Sequence, residues 1–83
     1  MHVLYFAWLR EKIGLAGEDL TPPPGVATAR ELLRHLAARG GGYGVAFANE
    51  AVIRCALDQE FVPLDTALGQ AVEIAFFPPV TGG

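Results

Sequence analysis

The group in this 83-residue chain best placed to do chemistry is its terminal carboxylate. The run that carries it, Pro78-Pro79-Val80-Thr81-Gly82-Gly83, has no ionisable side chain and no helix or strand signal. Two prolines stiffen its base, and the glycines remove side-chain bulk at its tip, so Gly82-Gly83 could thread a channel too narrow for any other residue. Six residues past Phe77 reach at most about 20 Å when extended, enough to enter a buried site on another protein. A carboxylate is a poor acyl electrophile until its oxygen becomes a better leaving group, for example by adenylation.

Nothing else in the sequence could carry out that activation. Gly40-Gly41-Gly42-Tyr43-Gly44 is rich in glycine but follows a helix instead of joining a strand to one, and it lacks the Lys-Ser/Thr of a phosphate loop. It reads as a flexible connector. His2 and His35 fall on different elements and read as surface residues, and no Ser/His/Asp set or clustered metal ligands occur. Cys55 alternates with Ile53 and Leu57 on one strand face, the pattern of an inert core thiol. Activation therefore has to come from another protein.

Composition narrows the class further. One domain of this size hides only about 60% of the surface its unfolded chain exposes, so a deep catalytic cavity is not expected. A single cysteine rules out an internal disulfide and fits a reducing compartment. The net charge of -3 and scattered basic residues argue against nucleic acid. Arg30, Arg34 and Arg39 share one helix and read as a solvated face, with a partner contact as the sharper alternative. No apolar run approaches the roughly 18 residues of a membrane span, and a cytoplasmic location without membrane contact is expected.

The elements that must position the tail can be read from pattern. His2 to Trp8 is rich in strand-forming types, and Trp8 to Ile13 suits a short helical turn stopped by Gly14. Leu15 to Thr21 reads as a weaker returning strand. After Pro22-Pro23-Pro24-Gly25 turns the chain, Thr28-Ala29-Arg30-Glu31 forms a capping box. Ala29, Leu32, Leu33, Leu36 and Ala37 then make the apolar stripe of a helix that stops at Gly40. Val45 to Asn49 fits either a short helix or a loop. Ala51 to Leu57 reads as a strand, Asp58-Gln59 as a tight turn into Glu60 to Val62, Pro63 to Gln70 as irregular, and Val72 to Phe77 as the last strand. One helix and several strands specify an α+β β-grasp, a mixed sheet packed on one main helix. A ferredoxin-like sandwich would need a second substantial helix. Residues 1–77 are expected to form the domain and 78–83 a flexible tail.

In the last strand Val72, Ile74 and Phe76 point one way, and Glu73, Ala75 and Phe77 the other. A wet Glu73 puts Phe77 on the outer face, shared with Val52, Arg54 and Ala56 of a neighbouring strand. An aromatic beside small residues on such a face is an interface anchor, which makes Phe77, Ala75 and Arg54 candidate partner-binding residues.

The ending Phe76-Phe77-Pro78-Pro79-Val80-Thr81-Gly82-Gly83 resembles the terminal signature of the MoaD-type sulfur carriers, the small subunits of molybdopterin synthases. Val3-Leu4-Tyr5-Phe6-Ala7, Leu9-Arg10-Glu11 with Gly14, and Ala56-Leu57-Asp58-Gln59 resemble that family's opening and mid-chain strand. The resemblance implies a ubiquitin-like fold, and a terminal Gly83 adenylated by a ubiquitin-activating-like adenylyltransferase and converted to a thiocarboxylate. It further implies that Pro78, Pro79, Val80, Thr81 and Gly82 thread into the synthase large subunit within a heterotetramer, two of each. There sulfur passes to cyclic pyranopterin monophosphate in molybdenum cofactor biosynthesis. No cofactor would be bound permanently, ATP being used by the activating enzyme, and the catalytic side chains would belong to the large subunit. Leu68-Gly69-Gln70-Ala71-Val72 departs from the acidic, glycine-containing turn frequent in the family. Alternatives are a sulfur carrier for another pathway, of the thiamine type, a ubiquitin-like protein modifier, and a plain binding module.

Overall fold

The capping box at Thr28 starts the main helix. In the computed structural model, which describes residues 1–79, Thr28 Oγ1 accepts from the Glu31 amide at 3.1 Å and Glu31 Oε1 accepts from the Thr28 amide at 3.1 Å. Two of the amides that a helix start leaves unpaired are thereby satisfied. The helix, α2 (Ala29–Ala37), buries Ala29, Leu32, Leu33 and Leu36 completely. Before it come β1 (His2–Tyr5), α1 (Ala7–Ile13) and β2 (Gly17–Asp19). After it come α3 (Gly41–Ala46), a 3-10 turn (Glu50–Val52), β3 (Arg54–Leu57), β4 (Glu60–Val62) and β5 (Glu73–Phe77).

The strands form one sheet in the order β2-β1-β5-β3-β4, with β1 parallel to β5 and the other pairs antiparallel. This is the expected β-grasp. Val3, Tyr5, Ile53, Cys55, Leu57, Ile74 and Phe76 face the helices and join α2, Leu9, Ala46 and Phe47 in one core. Gly14 ends α1 in the left-handed region at φ 88°, its amide donating to the Arg10 carbonyl. Asp58 and Gln59 both have positive φ, 47° and 70°, the geometry that turns β3 directly into β4. The Asp58 carboxylate also accepts from the amides of Val72 and Glu73, tying that turn to the start of β5.

Several expectations need correction. The first strand ends at Tyr5, because α1 begins at Ala7, and β2 covers only three residues of the longer run expected. The glycine run is not a connector. Gly41 to Ala46 is helical, and a Cβ on Gly42 would overlap the Lys12 carbonyl, so glycine is there to let α3 lie against the end of α1. Val52 belongs to the 3-10 turn and not to β3, and Val72 precedes β5 and is 72% exposed instead of sharing the inner face with Ile74 and Phe76.

The helix side of the sheet is closed by ion pairs. Glu18 accepts from Tyr5 Oη at 2.9 Å, from Arg39 Nη1 at 2.8 Å and from the Tyr43 hydroxyl, joining β2, β1, α3 and the segment after α2. The Arg39 guanidinium also lies 5.0 Å from the Tyr43 ring centroid. Burial works against the Glu18 charge, but the hydrogen bonds from Tyr43, Arg39 and Tyr5 outweigh it and hold the carboxyl below its usual range. Burial first, and the Glu18 hydrogen bond second, push the Tyr5 phenol up.

A carboxyl whose folded pKa is depressed stabilises the fold above its unfolded value of about 4.3, and that contribution is lost as pH falls through the folded value. Glu18→Gln should therefore cost about 1 to 3 kcal/mol at pH 7, with the gap to the parent closing at pH values below about 4. Urea unfolding at a series of pH values measures this. An equal gap at neutral and strongly acidic pH would exclude the charge as its source.

Candidate functional site

The sheet face turned away from the helices is where the structure leaves apolar side chains uncovered. In an antiparallel pair the directly opposite residues share a face, so the register places Phe77 beside Arg54, Ala75 beside Ala56, and Phe61 beside Ala56. Phe77, Ala75, Ala56 and Phe61, together with Leu4, Phe6, Gln59 and Glu73, line a depression of about 380 Å³. Phe61 is 75% exposed and Phe6 48%. The Phe61 and Phe77 rings stand 5.2 Å apart between centroids, tilted by 42°. Alanines form the floor and aromatics the walls, a shape suited to a protein side chain.

Phe77, Ala75 and Arg54, the three residues singled out from sequence, are thus brought together. Val52 is not part of this face. Leu4, Phe6 and Phe61 were missed, yet Phe61 had a signal, because a two-residue turn at Asp58-Gln59 sets it opposite Ala56, already read as outward. Arg54 Nη1 donates to the carbonyls of Ala51 and Ile53 at 3.0 and 3.1 Å. It has no carboxylate partner among the described residues.

Pro78 and Pro79 continue from β5 without strand pairing. Val80, Thr81, Gly82 and Gly83, the rest of the predicted tail, lie outside the described residues. Because β5 is the middle strand and ends at Phe77, Pro78 leaves the sheet at the edge of the apolar face next to Phe77 and Arg54.

The remaining chemical candidates are accounted for structurally. Cys55 is buried with its Sγ 3.4 Å from the Val62 carbonyl, and burial pushes its thiol up. Among the described residues no group of three His, Cys, Asp or Glu could hold a metal ion, and no helix is long and apolar enough to cross a membrane. Arg30, Arg34 and Arg39 are not simply solvated. Arg30 bonds Glu50 and Asp65, Arg34 bonds Glu50, and Arg39 bonds Glu18, so the three clamp α2 and its C-terminal end to neighbouring segments. His2 lies at the sheet edge, its Nδ1 2.9 Å from Asp19.

Fold and site together define a small ubiquitin-like module with an exposed apolar face beside its last strand. The chain belongs to the ThiS family, whose model matches residues 3–83. It is 40% identical over 83 residues to the molybdopterin synthase sulfur carrier subunit of Haemophilus influenzae, covering 100% of this chain and 99% of that protein. With the Escherichia coli molybdopterin synthase sulfur carrier subunit it shares 35% identity over 81 residues, 98% of this chain and 96% of that one. Among solved structures, SAMP1 from Haloferax volcanii superposes with a TM-score of 0.70 at 27% identity, over 100% of this chain and 98% of that one. A Pyrococcus furiosus protein assigned as molybdopterin converting factor, subunit 1, superposes at 0.73 with 25% identity, over 95% of each chain.

A buried thiol with a raised pKa is a poor nucleophile. Cys55 in the folded protein should resist alkylation by iodoacetamide at mildly alkaline pH and react readily in urea, as followed by mass spectrometry. Rapid labelling of the native chain would mark Cys55 as an accessible nucleophile after all.

Proposed function

We propose that this chain is the sulfur carrier of a molybdopterin synthase, with residues 1–77 as the docking domain and residues 78–83 as the working tail. The observation that carries the reading is full-length similarity, at 35 to 40% identity, to two proteins named as that carrier. The site supports it. An apolar face lies beside the point where the chain leaves the sheet after Phe77.

In this reading a ubiquitin-activating-like adenylyltransferase joins the Gly83 carboxylate to AMP from ATP, releasing pyrophosphate. A sulfur donor then displaces AMP and leaves a thiocarboxylate. The charged tail enters the large synthase subunit, Pro78 and Pro79 giving it a stiff base and Gly82 a slender tip. Phe77, Ala75 and Arg54, with Phe61, hold the domain against the partner. Sulfur passes to cyclic pyranopterin monophosphate, and successive carriers complete the dithiolene. The assembly is a cytoplasmic heterotetramer of two large and two small subunits, with ATP consumed only by the activating enzyme and no cofactor resident in this chain.

Incubation with ATP, a sulfur donor and cell extract should add the mass difference of sulfur for oxygen, localised to Gly83. Deleting Gly82-Gly83 should abolish that gain without altering the unfolding curve. An unchanged mass, in an extract that charges a known carrier, would overturn the proposal, and an isopeptide from Gly83 to a lysine would replace it with protein modification. Docking is tested separately. Phe77→Arg should weaken binding to the large subunit by about 2 kcal/mol or more, measured by calorimetry, and unchanged affinity would remove Phe77 from the interface.

A further inference from the structure

Two charges on the outer side of the sheet have no ion-pair partner among the described residues, Arg54 at the start of β3 and Glu73 at the start of β5. They stand at opposite ends, because Arg54 lies opposite Phe77, the last residue of the strand that Glu73 begins. Glu73 adjoins the Asp58 turn, whose carboxylate accepts from its amide. Arg54 adjoins the point where Pro78 leaves the sheet.

A guanidinium carries five N–H donors in a fixed fork. Arg54 Nη1 is occupied by two main-chain carbonyls, Ala51 at 3.0 Å and Ile53 at 3.1 Å. These bonds hold the group in place and leave Nε and Nη2, the edge that receives a carboxylate with two parallel bonds. The chain uses that same edge elsewhere. Arg34 gives Nε and Nη2 to the two carboxylate oxygens of Glu50, at 2.7 and 3.2 Å. Arg30 and Arg39 also meet acids. Arg54 is held as firmly but meets none within the described residues, and less side-chain freedom is lost when it does.

Arg54 also lines a groove of about 410 Å³ with Phe61, Val62, Pro63 and Phe77. Its other side chains are apolar, so a segment that fills it needs an aliphatic or aromatic side chain and, beside it, one carboxylate. Covering the groove strips water from the guanidinium. A carboxylate then gains from the lowered dielectric, whereas a segment without one leaves N–H donors covered and unpaired. That difference selects among partners.

We propose that Arg54 is the specificity-determining contact of this face, its Nε and Nη2 receiving the carboxylate of an Asp or Glu of the large synthase subunit, next to an apolar side chain of that subunit seated in the groove. The inference rests on the docking reading above and names the chemistry of the partner's contact. Because Pro78 leaves the sheet beside Arg54, the pair stands at the mouth of the site the tail enters and fixes its approach.

Calorimetric titration of the full chain with the large subunit tests it. Arg54→Gln should weaken binding by about tenfold or more, and Arg54→Lys should recover little of the loss, since an ammonium lacks the planar fork. Replacing the large subunit's surface aspartates and glutamates one at a time by their amides identifies the acid. One replacement should cost the parent about tenfold and cost Arg54→Gln little, the coupling expected of a direct pair. Circular dichroism and thermal unfolding establish that each variant is folded. Unchanged affinity in Arg54→Gln, or full recovery in Arg54→Lys, would overturn the inference and leave docking intact. So would a loss coupled to no acid of the large subunit, which would assign the open edge to this chain's own terminal carboxylate or to a second copy. A parent that does not bind the large subunit would overturn the docking reading and the inference with it.

Discussion

Strand β5 is hydrogen-bonded along both edges, parallel to β1 on one side and antiparallel to β3 on the other, and the rest of the molecule depends on this central placement. A middle strand has no free edge to fray or to recruit other chains. Its inner residues Ile74 and Phe76 are completely buried under the helices, so its position is set by the whole core. Its outer residues Ala75 and Phe77 lie two apart on the opposite face, where the same register fixes them against Ala56 and Arg54. A one-residue slip would exchange the two sets and ruin both the core and the outer face. The segment beginning at Pro78 is therefore anchored to the best-fixed element of the fold.

The two faces of the sheet are treated differently. On the helix side the ionic groups are gathered into two clusters: Glu18 takes two tyrosines and Arg39, and Glu50 with Asp65 takes Arg30 and Arg34. No buried side-chain polar atom among the described residues lacks a partner, which matters because a stranded buried group costs about 1 to 3 kcal/mol. On the outer side the pattern reverses. Aromatic rings are left in water and two charges are left without partners, at a cost in solubility that a purely structural surface would not carry.

How much of this was legible in the sequence follows from how local each determinant is. Thr28 with Glu31, Gly14, and Asp58-Gln59 act within a few residues, and all three were read correctly as cap, stop and turn. The glycine run from Gly40 failed because its reason is distant: Gly42 is small to admit the Lys12 carbonyl, thirty residues upstream, and composition alone suggested slack chain. The strand ends at Tyr5 and at Arg54 failed similarly, since Ala7 and Val52 have types compatible with strand and only packing turns them into helix. The outer apolar face was half visible. Alternation in β5 identified Ala75 and Phe77, but assigning Val52 to it and omitting Phe61 shows that a face is a property of register, and register requires the turn geometry to be carried through to β4.

In the proposed reading, the division between faces also explains how so small a chain can present a working terminus. Stability in a domain of this size is of the order of 0.05 to 0.15 kcal/mol per residue, leaving little margin for strained or unsatisfied groups at a catalytic site. A carrier avoids that conflict. Its core and the Glu18 and Glu50 ion-pair clusters lie on one side, the apolar side chains of its outer face cost solubility more than fold stability when exposed, and in the proposed reading the reactive group sits on a segment that contributes nothing to the core. Changes at the outer face or beyond Phe77 can then alter recognition and chemistry while Val3, Leu33, Ile74 and Phe76 continue to hold the fold. In the proposed reading the same economy leaves acid–base chemistry and substrate enclosure to a partner large enough to supply them.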